Sequence, residues 1–345
     1  MKLARRFQAT LALLLMALAA NLSAQRPLAK KAPLRQVGTV PLPGFSGDFD
    51  HFALDRRGGR LFLAGEDHKT LEVFDLHTGN HLKSIAGFGT PHSILYQPES
   101  DRILVTDSDQ GLLTLRGSDY RLVGKTAGLE GADSARLDPT RQILYIVTGG
   151  KDAHLDHSFL VALDLETGKK AGEVKFDSNH VEALALDPAS DRLFINVTSS
   201  GEVAVIDRRA MREILRWPVS VAGENSPMVY DQAHRRLLIV CRKPPALVVM
   251  DTDSGKVVAD LAAAGRADDI AYDPASGRIY VPGGEGYVSV FRQESADKYL
   301  LLATVPTAPG AKTSLLVPEL KRYFIAASPG ETKALAKLLI FQILP

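Results

Sequence analysis

Residues 183–207 read ALALDPASDRLFINVTSSGEVAVID, and the order of residue types in this stretch decides the fold. Ala183 to Leu186 form a continuous apolar run, as expected of a strand covered on both faces. Pro188 follows Asp187, and a proline has a fixed φ and no N–H to give to a ladder, so the chain turns there. Arg192-Leu193-Phe194 opens a second strand, and a third ends at Asp207.

The phrase of one Arg (once Gln) and two apolar or aromatic residues recurs along the chain. It stands at Arg60-Leu61-Phe62, Arg102-Ile103-Leu104, Gln142-Ile143-Leu144, Arg192-Leu193-Phe194, Arg236-Leu237-Leu238, Arg278-Ile279-Tyr280 and Arg322-Tyr323-Phe324. Successive spacings are 42, 40, 50, 44, 42 and 44 residues. That period holds four short strands, and nothing between the anchors has the i, i+3, i+4 apolar spacing of a long amphipathic helix. The chain is therefore expected to be all-β, a seven-bladed β-propeller of four-stranded antiparallel blades. Third strands often end in Asp and a glycine-containing turn, as in Asp75 to Gly79, Asp164 to Gly168 and Asp251 to Gly255. The carboxylate there can accept turn amides and the glycine tolerates positive φ, so these motifs make hairpins and carry no chemistry.

The seventh unit runs out after its third strand, LLIFQIL. Thr39-Val40-Pro41-Leu42-Pro43-Gly44 echoes Thr304-Val305-Pro306-Thr307-Ala308-Pro309-Gly310, where the fourth strand of unit six ends. The N-terminal strand is therefore expected to pair with the last blade and close the ring, leaving no open edge between first and last blades.

The phrases LDPASDRLFI, VAVID and ALDLETGKK resemble the YVTN-type β-propeller repeat family, and the likeness covers residues 34–345. The resemblance implies a secreted or periplasmic seven-bladed propeller. Its motifs are the strand and turn residues of any blade and say little of function. Two units depart from the pattern. Unit two has Arg116-Gly117-Ser118-Asp119 at its turn, and unit three carries the insertion GGKDAHLDHS (149–158) that lengthens one spacing to 50.

A chain of 345 residues with 45% hydrophobic and 23% charged residues can bury a large core, which excludes disorder and fibrous architectures. Lys2, Arg5 and Arg6 precede the apolar run LALLLMALAA (11–20), which is about half a membrane span, so residues 1–24 read as an export signal. Cleavage is placed after Ala24, with Ala19 the alternative, and residues 25–33 form a linker to the propeller at 34–345. Without the leader 38 basic residues face 40 acidic ones. There is no basic block, so nucleic acid and anionic membranes are not the expected partners. A periplasmic or extracellular monomer without a transmembrane anchor is expected. Its single cysteine, Cys241, sits in an apolar strand, so no intramolecular disulfide forms and packing must hold the fold.

Strand direction puts the d-to-a connections and the b-to-c loops of every blade on one face, around the channel mouth, where function is expected. Counting back five residues from the turn after strand a gives Asp50, His92, Asp133, Glu182, Ser226, Asp268 and Lys312, all polar. Counting back one or three gives mostly apolar residues. The seven polar residues, with His51 and Asp269, are the expected ligand-binding positions. His68, His154, Asp156, His157 and His180 fall in segments facing the same side and are expected loop contacts, with His154 and His157 placed to swing over the channel. Crowding of imidazole and carboxylate suits a divalent metal at the mouth, with His51, His92, Asp133 and Glu182 as its ligands, although no pair has a diagnostic spacing. His77, His81 and His234 fall at turns expected on the opposite face and are set aside.

No Gly-x-Ser-x-Gly elbow, phosphate-cradling glycine loop, His-Glu-x-x-His or haem-attachment motif is present, and no catalytic residue is assigned. Asn196-Val197-Thr198 has glycosylation spacing but falls at an expected strand end. Three functions remain open. First comes a binding module recognising a protein, peptide or polysaccharide at the mouth. The alternative is a metal-assisted, lactonase-like hydrolase or lyase acting on a small polar molecule, with Asp50, His51, His92, Asp133, Glu182 and Asp268 as ligand and acid/base candidates. Third is a redox accessory protein that carries metal.

Overall fold

The structure, a computed structural model, describes residues 32–330 and 334–345, so the expected leader and most of the expected linker lie outside the described residues. Seven four-stranded antiparallel sheets form the blades. Blade 1 is β2 (Phe52–Asp55), β3 (Arg60–Gly65), β4 (Thr70–Asp75) and β5 (His81–Ala86). Blades 2 to 6 follow in chain order, as β6 to β9 (91–126), β10 to β13 (135–176), β14 to β17 (181–218), β18 to β21 (223–262) and β22 to β25 (271–306). Blade 7 combines β26 (Ala311–Val317), β27 (Arg322–Ala327) and β28 (Lys337–Ile343) with the N-terminal β1 (Leu34–Pro41). The expected closure is present: β1 runs antiparallel to β28 from Leu34 opposite Ile343 to Pro41 opposite Lys337.

Burial follows position in the blade. Second strands are covered on both faces, as in β3, where Leu61 to Gly65 are all buried, which explains their uninterrupted apolar runs. Outer strands face solvent, and β5 is almost wholly exposed. Each apolar cluster lies between two neighbouring blades. Leu61, Leu63 and Phe74 of blade 1 pack on Phe324, Leu338 and Ile340 of blade 7, and Phe62 and Val73 pack on Ile103 and Leu113 of blade 2. Apolar contact between sheets holds the ring together without a disulfide, and Cys241 is a free, buried thiol.

The recurring arginine ties blades to one another. Arg60 pairs with Asp55 of its own blade at 2.7 Å and donates to the Tyr120 hydroxyl of blade 2 at 3.1 Å. Arg192 reaches the Thr252 carbonyl at 2.6 Å, and Arg236 pairs with Asp251 at 2.5 Å and with Asp297 at 2.7 Å. Arg278 donates to the Leu344 carbonyl. In blades 1, 4, 5 and 6 the phrase is thus a latch from the start of strand b to the outer turn of the next blade. Asp55 is 1% exposed in its side chain, so removing its cation leaves a buried, partly paired carboxylate. Arg60→Ala is expected to cost about 3 kcal/mol in urea unfolding. A loss below about 0.5 kcal/mol would mean the latch is solvated and idle.

The Asp–Gly turns are structural. Asp75 accepts the Thr78 amide at 2.7 Å and the Thr78 hydroxyl at 2.8 Å, and Gly79 closes the turn at φ 77°. Asn196 is buried and donates to the Ser226 carbonyl at 2.8 Å, so its amide serves the packing of neighbouring blades. Among the described residues no helix is long and apolar enough to cross a membrane.

Candidate functional site

Strand a of each blade begins at the channel mouth because its first residues extend the ladder to the end of strand b. In blade 1 the Asp50 amide donates to the Ala64 carbonyl at 2.9 Å and the Ala64 amide to the His51 carbonyl at 3.0 Å. Blade 3 repeats the arrangement, with the Asp133 amide on the Val147 carbonyl at 3.0 Å and the Val147 amide on the Ser134 carbonyl at 2.9 Å. Equivalent backbone positions therefore present Asp50 and Asp133 to one cavity. That basin, about 270 Å³, is lined by Asp50, His51, Glu66, His92, Asp133, Lys151, Asp152, Glu182, Arg242, Arg266, Asp268 and Lys312.

Seven of the residues expected at the mouth thus come together: Asp50, His51, His92, Asp133, Glu182, Asp268 and Lys312. Ser226 does not line the basin; it is buried between blades 4 and 5, where its carbonyl accepts from Asn196. Asp269 lies deeper, holding His51 Nδ1 at 3.2 Å and accepting the Ser314 amide at 2.8 Å. His180 stands beside the basin and bonds Glu182 at 2.5 Å and Lys151 Nζ at 3.2 Å. His68 turns away from it, accepting the Ser46 amide at 3.2 Å and stacking on Phe45. His154 and His157 do not line it either; His157 pairs with Asp156 at 2.7 Å and meets the edge of Phe159. His77 and His234 sit in turns held by Asp75 and Asp231, and His81 pairs with Glu72 at 2.6 Å within blade 1.

Five lining residues were outside the expected set: Glu66, Lys151, Asp152, Arg242 and Arg266. Glu66 follows Gly65, the last residue of β3, and Arg242 is the penultimate residue of β19 (Arg236–Lys243), so both come from the end of the second strand and not from strand a. Lys151 and Asp152 come from the insertion. A short 3-10 turn, Gly150–Ala153, delivers them over the basin. It rests on Gly149 at φ 79° and Gly150 at φ 65°, and a Cβ on Gly150 would lie 2.6 Å from the Asn179 carbonyl oxygen.

The basin has two unlike walls. On the acidic wall Asp50 bridges two imidazoles, with His92 Nδ1 at 2.6 Å and His51 Nε2 at 3.4 Å. His92 Nε2 lies 2.7 Å from the Ser108 hydroxyl, and Asp133 is 3.8 Å from His92 Nδ1. Burial would pull both imidazoles down, but the carboxylates outweigh it: His92 is pushed up to about 10 by Asp133 and Asp50, and Asp50 and Asp269 hold His51 well above its ordinary value. Burial likewise pushes the Asp50 carboxyl up, and the two imidazoliums overcome it and hold that group well below the usual carboxylate range. The remaining acids go the other way. Burial, reinforced by Asp50, raises Glu66 to about 8, and burial with the fields of Glu182 and Asp50 raises Asp133 to about 7.

On the basic wall Lys312 pairs with Asp48 at 2.8 Å and with Asp268, which also accepts from Arg242. Burial still leaves the Asp268 carboxyl raised. Lys151 lies 3.6 Å from Glu182, whose carboxyl His180 and Lys151 hold low against the effect of burial. Arg266 lines the basin with no ion pair among the described residues.

No protein-family model matches the chain, and no curated protein is significantly similar to it.

Proposed function

We propose that the chain is a binding module whose channel mouth receives a cationic group of its ligand, a peptide bearing lysine or a free amine. The observation that carries this reading is the pair of carboxyls on the acidic wall, Glu66 raised to about 8 and Asp133 to about 7, beside an Asp50 already shared by two imidazoliums. Burial and the neighbouring carboxylates keep Glu66 largely protonated and Asp133 about half protonated at neutral pH, so the wall has room for more positive charge. An ammonium group supplies it and takes up charge-assisted hydrogen bonds as the protons leave. Arg266 and Lys151 on the far side suit the carbonyls or carboxylate of the same ligand. A site of about 270 Å³ fits one side chain of a larger molecule rather than a long segment.

Residues 1–24 read as an export signal, so the ligand would be met in the periplasm or outside the cell, and the blades are taken as the YVTN type from the phrases that resemble it. Calorimetric titration with the peptide Gly-Lys-Gly should give saturable binding, weakened roughly tenfold or more by Asp133→Asn. Equal binding of the N-acetylated peptide with norleucine in place of lysine, which carries no amine, would defeat the reading.

A second reading, a divalent metal serving a hydrolase or lyase, is favoured by one observation. Asp50, Glu66 and His92 bring ligand atoms within 4.8 Å of one another. The donor set suits a cation that accepts oxygen and imidazole. As arranged, however, His92 is engaged at both ring nitrogens and its raised pKa makes it an imidazolium, with no lone pair to offer. A metal would have to displace that proton as well as those of Glu66 and Asp133. The amine reading requires no change at His92 and is preferred.

A further inference from the structure

Below the mouth the channel continues past His51 and Asp269 into a second chamber of about 290 Å³, with a side pocket of about 40 Å³. Its character is different. Nine of its fourteen lining residues are apolar or aromatic, among them Phe52, Ile94, Ile270, Leu315, Leu316 and Pro318. Arg136, on β10 (Ala135–Asp138), lines both spaces.

Arg136 breaks a pattern that six blades obey. Two residues before the turn that follows strand a, the other blades carry Ala53, Leu95, Ala185, Val229, Ala271 and Leu315. Apolar side chains there need no partner, and an arginine does. Yet Arg136 is exposed to the lumen, and its one hydrogen bond is a long contact of 3.4 Å from Nη1 to the Ala135 carbonyl. No carboxylate among the described residues forms an ion pair with it. The nearest acid to influence it, Asp269, is already occupied by His51 and the Ser314 amide. The chamber's serine hydroxyls are fixed as acceptors: Ser93 Oγ accepts the Ala135 amide at 3.2 Å, and Ser314 Oγ accepts the Tyr323 hydroxyl at 3.0 Å. The fork of Arg136 is therefore the charged group in this chamber with donors to spare, and a planar guanidinium matches a carboxylate in bidentate fashion.

We infer that the lower chamber is a binding site for a carboxylate with a short apolar body, its head on Arg136 and its chain against Ile94, Ile270 and Leu315. The combination of one open cation and an apolar wall selects an amphipathic acid over a fully hydrated anion, because a hydrated anion loses solvation against the wall and gains nothing from it. The inference is independent of the amine site above it, since none of Glu66, Asp133 and Glu182 lines the lower chamber.

Calorimetric titration of the whole chain with hexanoate tests it, with sulfate as the polar anion of comparison. Hexanoate is expected to bind at least tenfold more tightly than sulfate, and Arg136→Leu to weaken it at least tenfold. The leucine restores the residue type of the other blades, so the variant should unfold at a temperature no lower than the parent. Glu66→Gln should leave hexanoate affinity unchanged. Equal hexanoate binding by Arg136→Leu, or sulfate binding as tightly as hexanoate, would overturn the inference. So would a large drop in the melting temperature of Arg136→Leu, which would make the arginine a structural member, or loss of hexanoate binding in Glu66→Gln, which would move the acid to the mouth.

Discussion

Removing residues 34–42 is expected to lower the melting temperature by more than about 10 °C or to abolish cooperative unfolding. The strand lost, β1, matches seven residues of β28 in register and is the outer edge of the blade that closes the ring. Leu34 at 2% exposure and Leu42 at 4% are core residues, the first against blades 6 and 7 and the second where blade 7 meets blade 1. Burial of two leucines contributes about 4 kcal/mol, and the ladder adds to it. The sum is comparable to the whole stability of an ordinary domain. The deletion also bares the edge of β28, whose Leu338 to Phe341 are buried, and an unpaired apolar edge is a template for aggregation. A melting temperature unchanged by the deletion would refute the closure as a source of stability.

The second large effect is on pH. Between pH 6 and 9 the chain is expected to lose stability steadily, and Glu66→Gln to recover a substantial part of the loss. Glu66 keeps its proton in the folded chain up to about pH 8, whereas the unfolded chain gives it up near 4.5, so stability falls as pH rises between those values. Asp133 acts in the same sense between 3.8 and about 7. His92 is stabilising while charged; its contribution is complete below 6.5 and lost as pH climbs toward about 10. His51 behaves likewise. Asp50 and Glu182, held low, contribute at neutral pH and lose their share only on acidification, so they do not offset the decline. Glutamine imitates the protonated Glu66. The variant should match the parent near pH 4, and its advantage should grow by on the order of 2 kcal/mol between pH 6 and pH 9, a few degrees in melting temperature for a chain of this size. Parallel pH profiles for the two proteins would mean that Glu66 ionises as an ordinary carboxylate.

Much of this architecture is legible along the chain because a propeller is built from local rules. An Asp–Pro or Asp–Gly turn, a two-face apolar run such as Leu193 to Ile195 and an arginine at a fixed offset each depend on neighbours in sequence, and the period then counts the blades. The mouth is legible where the same rule holds, which is why counting along strand a finds Asp50, His92, Asp133, Glu182, Asp268 and Lys312. It fails at Ser226, which is buried between blades 4 and 5 with its carbonyl on Asn196, although β18 (Gly223–Asp231) shares the register slip that blades 2, 4 and 7 have around His92, Glu182 and Lys312. Loops obey no offset. In the loop after β3 the eye falls on His68, but the backbone turns that ring onto Phe45 and gives the basin Glu66. In the insertion His154 and His157 draw attention, whereas two glycines at positive φ aim Lys151 and Asp152 inward. The raised carboxyls had no signal at all in the sequence, since they arise from residues of blades 1, 2, 3 and 4 meeting across the channel.

The most direct measurement is the titration of the Glu66 and Asp133 side-chain carboxyls by carbon NMR, in the free chain and in the chain saturated with Gly-Lys-Gly. The account predicts midpoints of about 8 and about 7 in the free chain, both moving toward the ordinary carboxylate range when the ammonium group occupies the mouth. Midpoints already in the ordinary range in the free chain, or raised midpoints that the peptide leaves in place, would contradict a mouth built to receive a cation.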